Sequence, residues 1–216
     1  QRKRYATFNS LYGEIKFTDF LKYRINLGVS YSKEDYGRYY GSDTPFQSGT
    51  ANTARVQNRN NTVWTVENLL FFDKVIAQKH RVNVTAMYSA EQSEYSQSQM
   101  EANDLPADYL FYYNLGSADG AKTINASDQI YQKRGLLSYM GRAQYAYDDR
   151  YMFTATFRAD GASVLASGHQ WHNYPAFSAG WNISNESFMS NIKAISQLKL
   201  RLGYGQTSNQ AIDPYS

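Results

Sequence analysis

Polar and apolar residues alternate with a period of two along most of the chain, which is the pattern of β-strands whose two faces differ. In residues 22–32, every second position from Tyr23 to Tyr31 is apolar, and the residues between are polar or glycine. The same alternation, blurred only in 61–72, predicts strands at 11–17, 61–72, 81–90, 137–147, 151–158, 177–183 and 198–205. The chain is therefore predicted to be all-β with about eight strands.

The connections between these strands differ in length. Short ones fall near 18–21, 73–79 and 148–150, whereas long polar ones run through 34–60, 91–133 and 160–173. Short turns on one side and long loops on the other are typical of an outer-membrane barrel, and a soluble β-sandwich has more even loops. The unequal connections favour the barrel, although a soluble β-fold stays open on periodicity alone.

Composition excludes several classes of protein. The mean hydropathy is -0.62 and no apolar run approaches the roughly 20 residues of a spanning helix, so a helical membrane protein is excluded. There is no cysteine, and a net charge of +3 gives no basic footprint for nucleic acid. The 20 tyrosines are unusual, and several flank the short turns, as Tyr145, Tyr147 and Tyr151 do. Aromatic rings in this position are typical of the lipid–water boundary.

Specific strings in the C-terminal part resemble the SusC/RagA family of TonB-dependent transporters. They comprise SYMGRAQYAYDDRY at 138–151, RADGAS at 158–163, SAGWNIS at 178–184 and LKLRLGYGQTSNQ at 198–210. The match covers about 135–215, and upstream only the strand pattern is similar. Two departures concern Ser208, where the family has glycine and the turn is expected to differ, and Val164-Leu165, which replaces a polar pair.

The resemblance implies that residues 1–216 form part of one antiparallel transmembrane β-barrel domain of about 22 strands. The start at Gln1 without Met suggests a piece of a longer protein, and no segment resembles the plug domain. About eight strands are too few to close such a wall. The implied function is TonB-dependent import of oligosaccharides or peptides across the bacterial outer membrane. The implied partners are a SusD-like surface lipoprotein, TonB and membrane lipid. The alternative is a soluble or surface-exposed β-rich module that binds glycans.

Catalytic and metal-binding motifs are weak, so we expect neither an enzyme nor a cofactor. No nucleophile elbow or phosphate-binding loop is present, and Gly203-x-Gly205 suits close packing within a strand. His169 and His172 have no neighbouring carboxylate or cysteine, which makes a poor metal site. The acidic residues of the 91–133 connection are expected to be solvated rather than to hold a cation: Glu91, Glu94, Glu101, Asp104 and Asp108.

Two sets of residues are candidate binding surfaces. The first is an aromatic cluster in 104–116, which needs cover from the barrel, a substrate or a partner. Its predicted contact residues are Tyr109, Phe111, Tyr112 and Tyr113, to which we add Trp171 from another long connection. The second is a basic set on the predicted lumen face, which either attracts anionic solutes or, as we favour, pairs with carboxylates of a plug or of the lumen, such as Glu14. It contains Lys22, Arg24, Arg81, Arg142, Arg158, Lys199 and Arg201.

Overall fold

A computed structural model describes residues 1–45, 47, 49–190, 192 and 194–207. The described chain is all-β, and its helical turns are 3-10 turns of three residues each. Within the described part, no helix has the length and apolar character needed to cross a membrane. The prediction about Ser208 and the end of the matching string at 208–210 lie outside the described residues.

Eight strands follow one another in a single antiparallel sheet, as the alternation predicts, and a two-residue strand joins it at the side. The sheet order is β1-β2-β3-β4-β6-β7-β8-β9, with β5 paired to β4. The strands are β1 (Arg2–Thr18), β2 (Leu21–Tyr40), β3 (Thr53–Ile76), β4 (His80–Asn103), β5 (Lys122–Thr123), β6 (Ile130–Tyr147), β7 (Tyr151–Ala162), β8 (Trp171–Asn182) and β9 (Lys199–Gly205). The sheet is open in this chain, with β1 and β9 at its edges.

The long connections are shorter than predicted because the strands continue into them. The predicted loops at 34–60, 91–133 and 160–173 shrink to 41–52, 104–129 and 163–170, the second of which contains β5. Backbone hydrogen bonds extend a strand regardless of side-chain polarity. Where both faces become polar the alternation disappears, although the strand does not. Glu91, Glu94 and Glu101 therefore lie in β4, and β8 begins with Trp171 and His172. The prediction that these residues lie in long connections is wrong.

Two of the predicted short turns are tight hairpins with left-handed backbone. Lys79 N donates to Ile76 O at 3.3 Å across Ala77 and Gln78, whose φ angles are 49° and 62°. Arg150 N donates to Tyr147 O at 2.9 Å across central residues that also have positive φ. Two consecutive positive φ angles are the signature of type I′ turns, whose twist suits a hairpin. The third short turn lies at 19–20, between β1 and β2.

The chain divides into two compact units. One comprises residues 1–9, 28–64 and 93–133, and the other comprises 10–27, 65–92 and the described part of 134–216. We call them the loop unit and the turn unit, since the first contains the connections 41–52 and 104–129 and the second contains the three short turns.

The loop unit has a small buried core between the sheet and the 104–118 segment. Its buried members are Ala54, Ala102, Leu105, Leu115 and Ala118, and Tyr39, Val56, Leu110 and Tyr112 pack around them. The strand members are alanines, whose small side chains let the loop lie close to the sheet.

Candidate functional site

The register of β6–β9 gives this part of the turn unit two chemically distinct faces. Tyr145 lies opposite Phe153, which lies opposite Ala179 in the next strand. We call this the apolar face; its members are Ala143, Tyr145, Phe153, Ala155, Phe177, Ala179, Leu202 and Tyr204. Its large side chains are exposed, with 54% of Phe153 and 57% of Phe177 accessible. Apolar side chains exposed to this extent, with no charge among them, suit a surface that faces lipid.

An aromatic row borders the apolar face beside the short turns. The rings of Tyr147 and Tyr151 stack with centroids 6.5 Å apart, and Tyr151 stacks on Trp181 at the same spacing. His80 joins the row through a 2.7 Å hydrogen bond between its Nδ1 and the Tyr145 hydroxyl. Tyrosine and tryptophan combine an apolar body with a polar tip, so this row suits the lipid–water boundary.

A second aromatic row borders the same face at the other end of the strands. Tyr88 lies 5.2 Å from Tyr139, and Tyr139 stacks on Trp171 at 5.8 Å. Trp171 also lies flat on Gly161, where a Cβ would come within 2.7 Å of the indole. Trp171 is thus built into an aromatic belt on the apolar face. Its predicted contact with substrate or partner stays a prediction.

The two rows are separated by one membrane thickness. Along β8, Trp171 and Trp181 are ten residues apart, or roughly 33 Å at about 3.3 Å per residue. A strand tilt of about 40° projects this to roughly 25 Å, the height of the apolar band of a membrane barrel. The turn unit therefore carries the dimensions of a spanning wall.

The polar face lies on the opposite side of the same strands. It forms a cavity of about 430 Å³ whose polar lining includes Arg81, Asn83, Gln144, Thr154, Ser178, Lys199 and Arg201. Since the apolar face suits lipid, this face corresponds to the lumen. The register thus places the predicted lumen cations of β6, β7 and β9 together on one surface.

Four members of the basic set are paired with carboxylates, as we favoured. Glu14 Oε2 accepts a hydrogen bond from Lys22 Nζ at 3.4 Å and lies 3.9 Å from Arg24 Nε. Arg81 pairs with Asp73 at 3.0 Å, and Arg158 pairs with Asp160 at 2.8 Å.

The other three members find no carboxylate among the described residues. Arg142 donates to Thr156 at 3.2 Å, and Lys199 Nζ lies 3.3 Å from the sulfur of Met152. Arg201 lines the polar cavity together with Lys199. The polar face therefore keeps positive charge that the described chain does not neutralise.

Glu186 ties the connection after β8 to the turn-side aromatic row. Its Oε1 accepts hydrogen bonds from the Tyr151 hydroxyl at 2.7 Å and from the Trp181 indole at 3.0 Å. Its Oε2 accepts one from Arg150 at 3.4 Å. These donors, Tyr151 first, hold the pKa of Glu186 below its ordinary value. This role of Glu186 could not be predicted from the sequence, because only the folded chain brings the three donors together.

The loop unit also has two distinct faces. On one, Arg59 bridges Glu34 at 3.3 Å and Gln97 at 2.9 Å, and Arg55 Nη2 pairs with Glu101 at 2.5 Å. We call this the ion-pair face. The alternate residues of the same strands form the opposite face, which includes Val29, Tyr31, Gly37, Tyr39 and Ala54. Because a strand's side chains alternate, the two sets point to opposite sides of the sheet.

The aromatic cluster lies on the side opposite the ion-pair face. The Tyr112 ring lies against Gly37, where a Cβ would come within 2.3 Å of it. Phe111 makes an edge contact with Tyr39 at 5.6 Å. The other rings are open to solvent, with 78% of Tyr109 and 74% of Tyr113 exposed. The Tyr113 ring lies against Tyr112 with centroids 4.5 Å apart, and its hydroxyl accepts a hydrogen bond from the Tyr112 hydroxyl at 3.3 Å. The predicted contact of these residues with substrate or a partner stays a prediction.

Asn52 anchors the aromatic segment to the sheet. Its buried side chain donates from Nδ2 to Leu105 O at 3.0 Å and accepts from Leu105 N at 2.6 Å. Its Nδ2 also donates to Asp108 at 3.2 Å. Asn52 could not be predicted from the sequence, since one asparagine in a polar connection gives no local signal of a partner 53 residues away.

The remaining candidates do not assemble into a metal site in the described part of the chain. Among the described residues, no group of three or more histidine and acidic side chains could hold a metal ion. Glu101 is instead used by Arg55, and Asp108 by Asn52. Gly203 and Gly205 lie within β9, as the packing interpretation predicts.

Comparison with known proteins gives consistent matches. The chain is 32% identical over 194 residues to TonB-dependent receptor P26 of Formosa agariphila, covering 89% of this chain and 19% of that receptor. It is 43% identical over 77 residues to the TonB-dependent receptor SusC of Bacteroides thetaiotaomicron, covering 36% of this chain and 8% of SusC. No family model matches the sequence.

Solved structures agree on the fold. The RagAB peptide transporter superposes with a TM-score of 0.81 at 18% identity, covering 99% of this chain and 23% of that chain. The RagAB peptide importer in its open-open state gives 0.79 at 19% identity. The matches to receptor P26 and to RagAB extend over most of this chain, which corresponds to about a fifth to a quarter of the length of those proteins. The sequence matches place the chain in the SusC/RagA family of TonB-dependent receptors, and its fold is that of a segment of the β-barrel.

Proposed function

We propose that this chain forms part of the wall of an outer-membrane importer that takes up nutrients under the control of TonB. The observation that carries the proposal is the two-faced sheet of the turn unit. Its apolar face is bordered by aromatic rows about 25 Å apart, and its polar face carries a cavity lined by Arg81, Lys199 and Arg201. A soluble module would bury rings such as Phe153 and Phe177, which here are exposed.

The proposed partners follow from the family. SusC and the RagAB transporter support a complex in which a SusD-like surface lipoprotein captures the solute and TonB supplies energy through a plug segment outside this chain. RagAB is a peptide transporter by name, and peptides and oligosaccharides both stay open as the solute of this chain. The protein binds and gates without catalysing a reaction.

The unneutralised cations support a role in contacting the plug. Arg142, Lys199 and Arg201 have no carboxylate partner in the described chain, and a low-dielectric wall strengthens their field. We propose that acidic residues of the plug pair with them, as Glu14 pairs with Lys22 in this chain.

The aromatic segment is proposed to contact a partner of the importer. The exposed rings of Tyr109 and Tyr113 lie on the side of the sheet opposite the ion-pair face. If the ion-pair residues line a lumen, as charged residues of a barrel wall do, a solute passing through the lumen does not meet these rings. A component outside the wall can contact these rings.

Uptake by cells tests the proposal. The gene for the full-length protein is deleted in its host, and uptake of labelled oligosaccharides and labelled peptides is measured with and without TonB. We expect the deletion to abolish uptake of one of the two solute classes, and loss of TonB to have the same effect. Unchanged uptake of both classes in the deletion strain would contradict the proposed function.

A further inference from the structure

We propose that the aromatic segment at 105–118 binds the saccharide headgroups of the glycolipid in the outer leaflet. This inference rests on the proposed function, since it takes the sheet to be a membrane wall. It identifies the partner of Tyr109 and Tyr113 as the membrane surface itself.

The side of β2 on which the aromatic segment packs is apolar before the strand reaches the segment. In β2, Val29 and Tyr31 are exposed apolar residues on the side where the aromatic segment packs. The next residues on that side are Lys33 and Asp35, which form an ion pair at 3.5 Å. Charged residues are disfavoured on a lipid-facing surface at membrane depth and tolerated near the interface. The change from Tyr31 to Lys33 therefore marks the end of the hydrocarbon layer on β2.

The aromatic segment lies beyond that boundary. The segment packs on Gly37 and Tyr39, which follow Tyr31 by six and eight residues. At about 3.3 Å per residue and a tilt of about 40°, they lie roughly 15–20 Å above the boundary. Headgroups begin directly beyond the hydrocarbon core, and the saccharides of a bacterial outer-leaflet glycolipid extend farther outward. The exposed rings thus lie in the saccharide layer.

The exposed groups of the segment suit a saccharide. Tyr109 and Tyr113 present flat rings with hydroxyl tips, which pair with the apolar face and the hydroxyls of a sugar ring. Phe111 is held at φ 46° and ψ -122°, a conformation that a bulky residue rarely adopts. Its neighbour Tyr112 is fixed against Gly37. Strain of this kind persists only where the surroundings enforce it, and it often marks a binding segment.

The test uses the full-length protein in detergent and two defined probes. Lipooligosaccharide carries lipid A and core sugars, and lipid A alone lacks those sugars. Affinity for each is measured by native mass spectrometry for the wild type and for the double variant Tyr109→Ser/Tyr113→Ser. Both side chains are mostly exposed and neither belongs to the buried core. Tyr113 contacts Tyr112, so hydrogen exchange in 105–118 is measured in the double variant to verify that the segment stays packed. Phe8→Ser is the matched control, because Phe8 is 76% exposed on the side of β1 that carries Arg2.

We expect the double variant to bind lipooligosaccharide about tenfold more weakly, as suits the loss of two aromatic contacts. Its affinity for lipid A and the behaviour of Phe8→Ser should stay at wild-type values. Equal loss for both probes, or no loss, would overturn the inference. The inference would also be overturned if the double variant kept wild-type glycolipid binding but lost the lipoprotein partner, solute uptake or self-association. A wild type that binds lipooligosaccharide as expected but imports nothing would contradict the proposed function and leave this inference standing.

Discussion

A single arginine placed on either face of β7 distinguishes a membrane wall from a soluble sheet. Ala155 belongs to the apolar face, between Ala143 and Phe177. Ala155 is four residues from Tyr151 in the turn-side aromatic row. Along the membrane normal this separation is roughly 10 Å, within an apolar band about 25 Å tall. Ala155 is thus close to the bilayer midplane, where a lipid-facing arginine costs about 2–4 kcal/mol. We expect Ala155→Arg to lower the free energy of unfolding by about 3 kcal/mol, or about two orders of magnitude in the folding equilibrium.

The control is Thr154→Arg, one residue away on the polar face. Thr154 lies between Gln144 and Ser178 and borders the polar cavity, where water reaches the new guanidinium. We expect this variant to change the free energy of unfolding by less than about 1 kcal/mol. Both are measured by denaturant titration of the full-length protein folded into phospholipid vesicles. Equal losses for the two variants, or a larger loss for Thr154→Arg, would refute the assignment of the faces.

Other variants test separate parts of the structure in the full-length protein. Asn52→Ala leaves buried backbone groups of the aromatic segment without hydrogen-bond partners, which costs about 1–3 kcal/mol of stability for each group. Hydrogen exchange in 105–118 should therefore become faster, and unchanged exchange would contradict the anchoring role. Ala77→Asn/Gln78→Gly suits the positive φ angles of that turn and should raise the free energy of unfolding by about 1 kcal/mol; a loss would show that the turn is not left-handed. Glu186 has a lowered pKa, chiefly from the Tyr151 hydroxyl. Its contribution to stability is therefore full above the ordinary carboxyl pKa and is lost as the pH falls through the lowered value. Glu186→Gln should be destabilised at neutral pH and approach wild type in acid, whereas a gap that widens in acid would contradict this.

Local alternation was sufficient to predict the eight long strands and the faces of most of them, but not the two-residue β5. In 151–157 the apolar set from Tyr151 to Phe157 is the lipid-facing set of β7, because period-two alternation follows directly from strand geometry. The same rule failed to locate strand ends. Beyond the hydrocarbon layer both faces are polar, so β3 and β4 continue far past the last alternating residues.

Contacts between distant segments could not be predicted from the sequence. The aromatic segment was found from composition alone, but its side of the sheet depends on Tyr112 meeting Gly37 and on Asn52 reaching Leu105. The sequence pattern around Gly37 does not show which ring covers it. The assignment of Trp171 to a loop failed for a related reason, since its packing on Gly161 belongs to the strand pair.

The most direct test of the membrane wall is a scan of introduced cysteines along 152–157, in a full-length protein with no other cysteine. Each position carries a nitroxide label in vesicles, and its collision rates with oxygen, which concentrates in lipid, and with a water-soluble relaxation agent are measured. The structure predicts that Phe153, Ala155 and Phe157 favour oxygen while the residues between them favour the water-soluble agent. The same accessibility at all six positions, or the opposite alternation, would contradict a lipid-facing wall with a polar lumen.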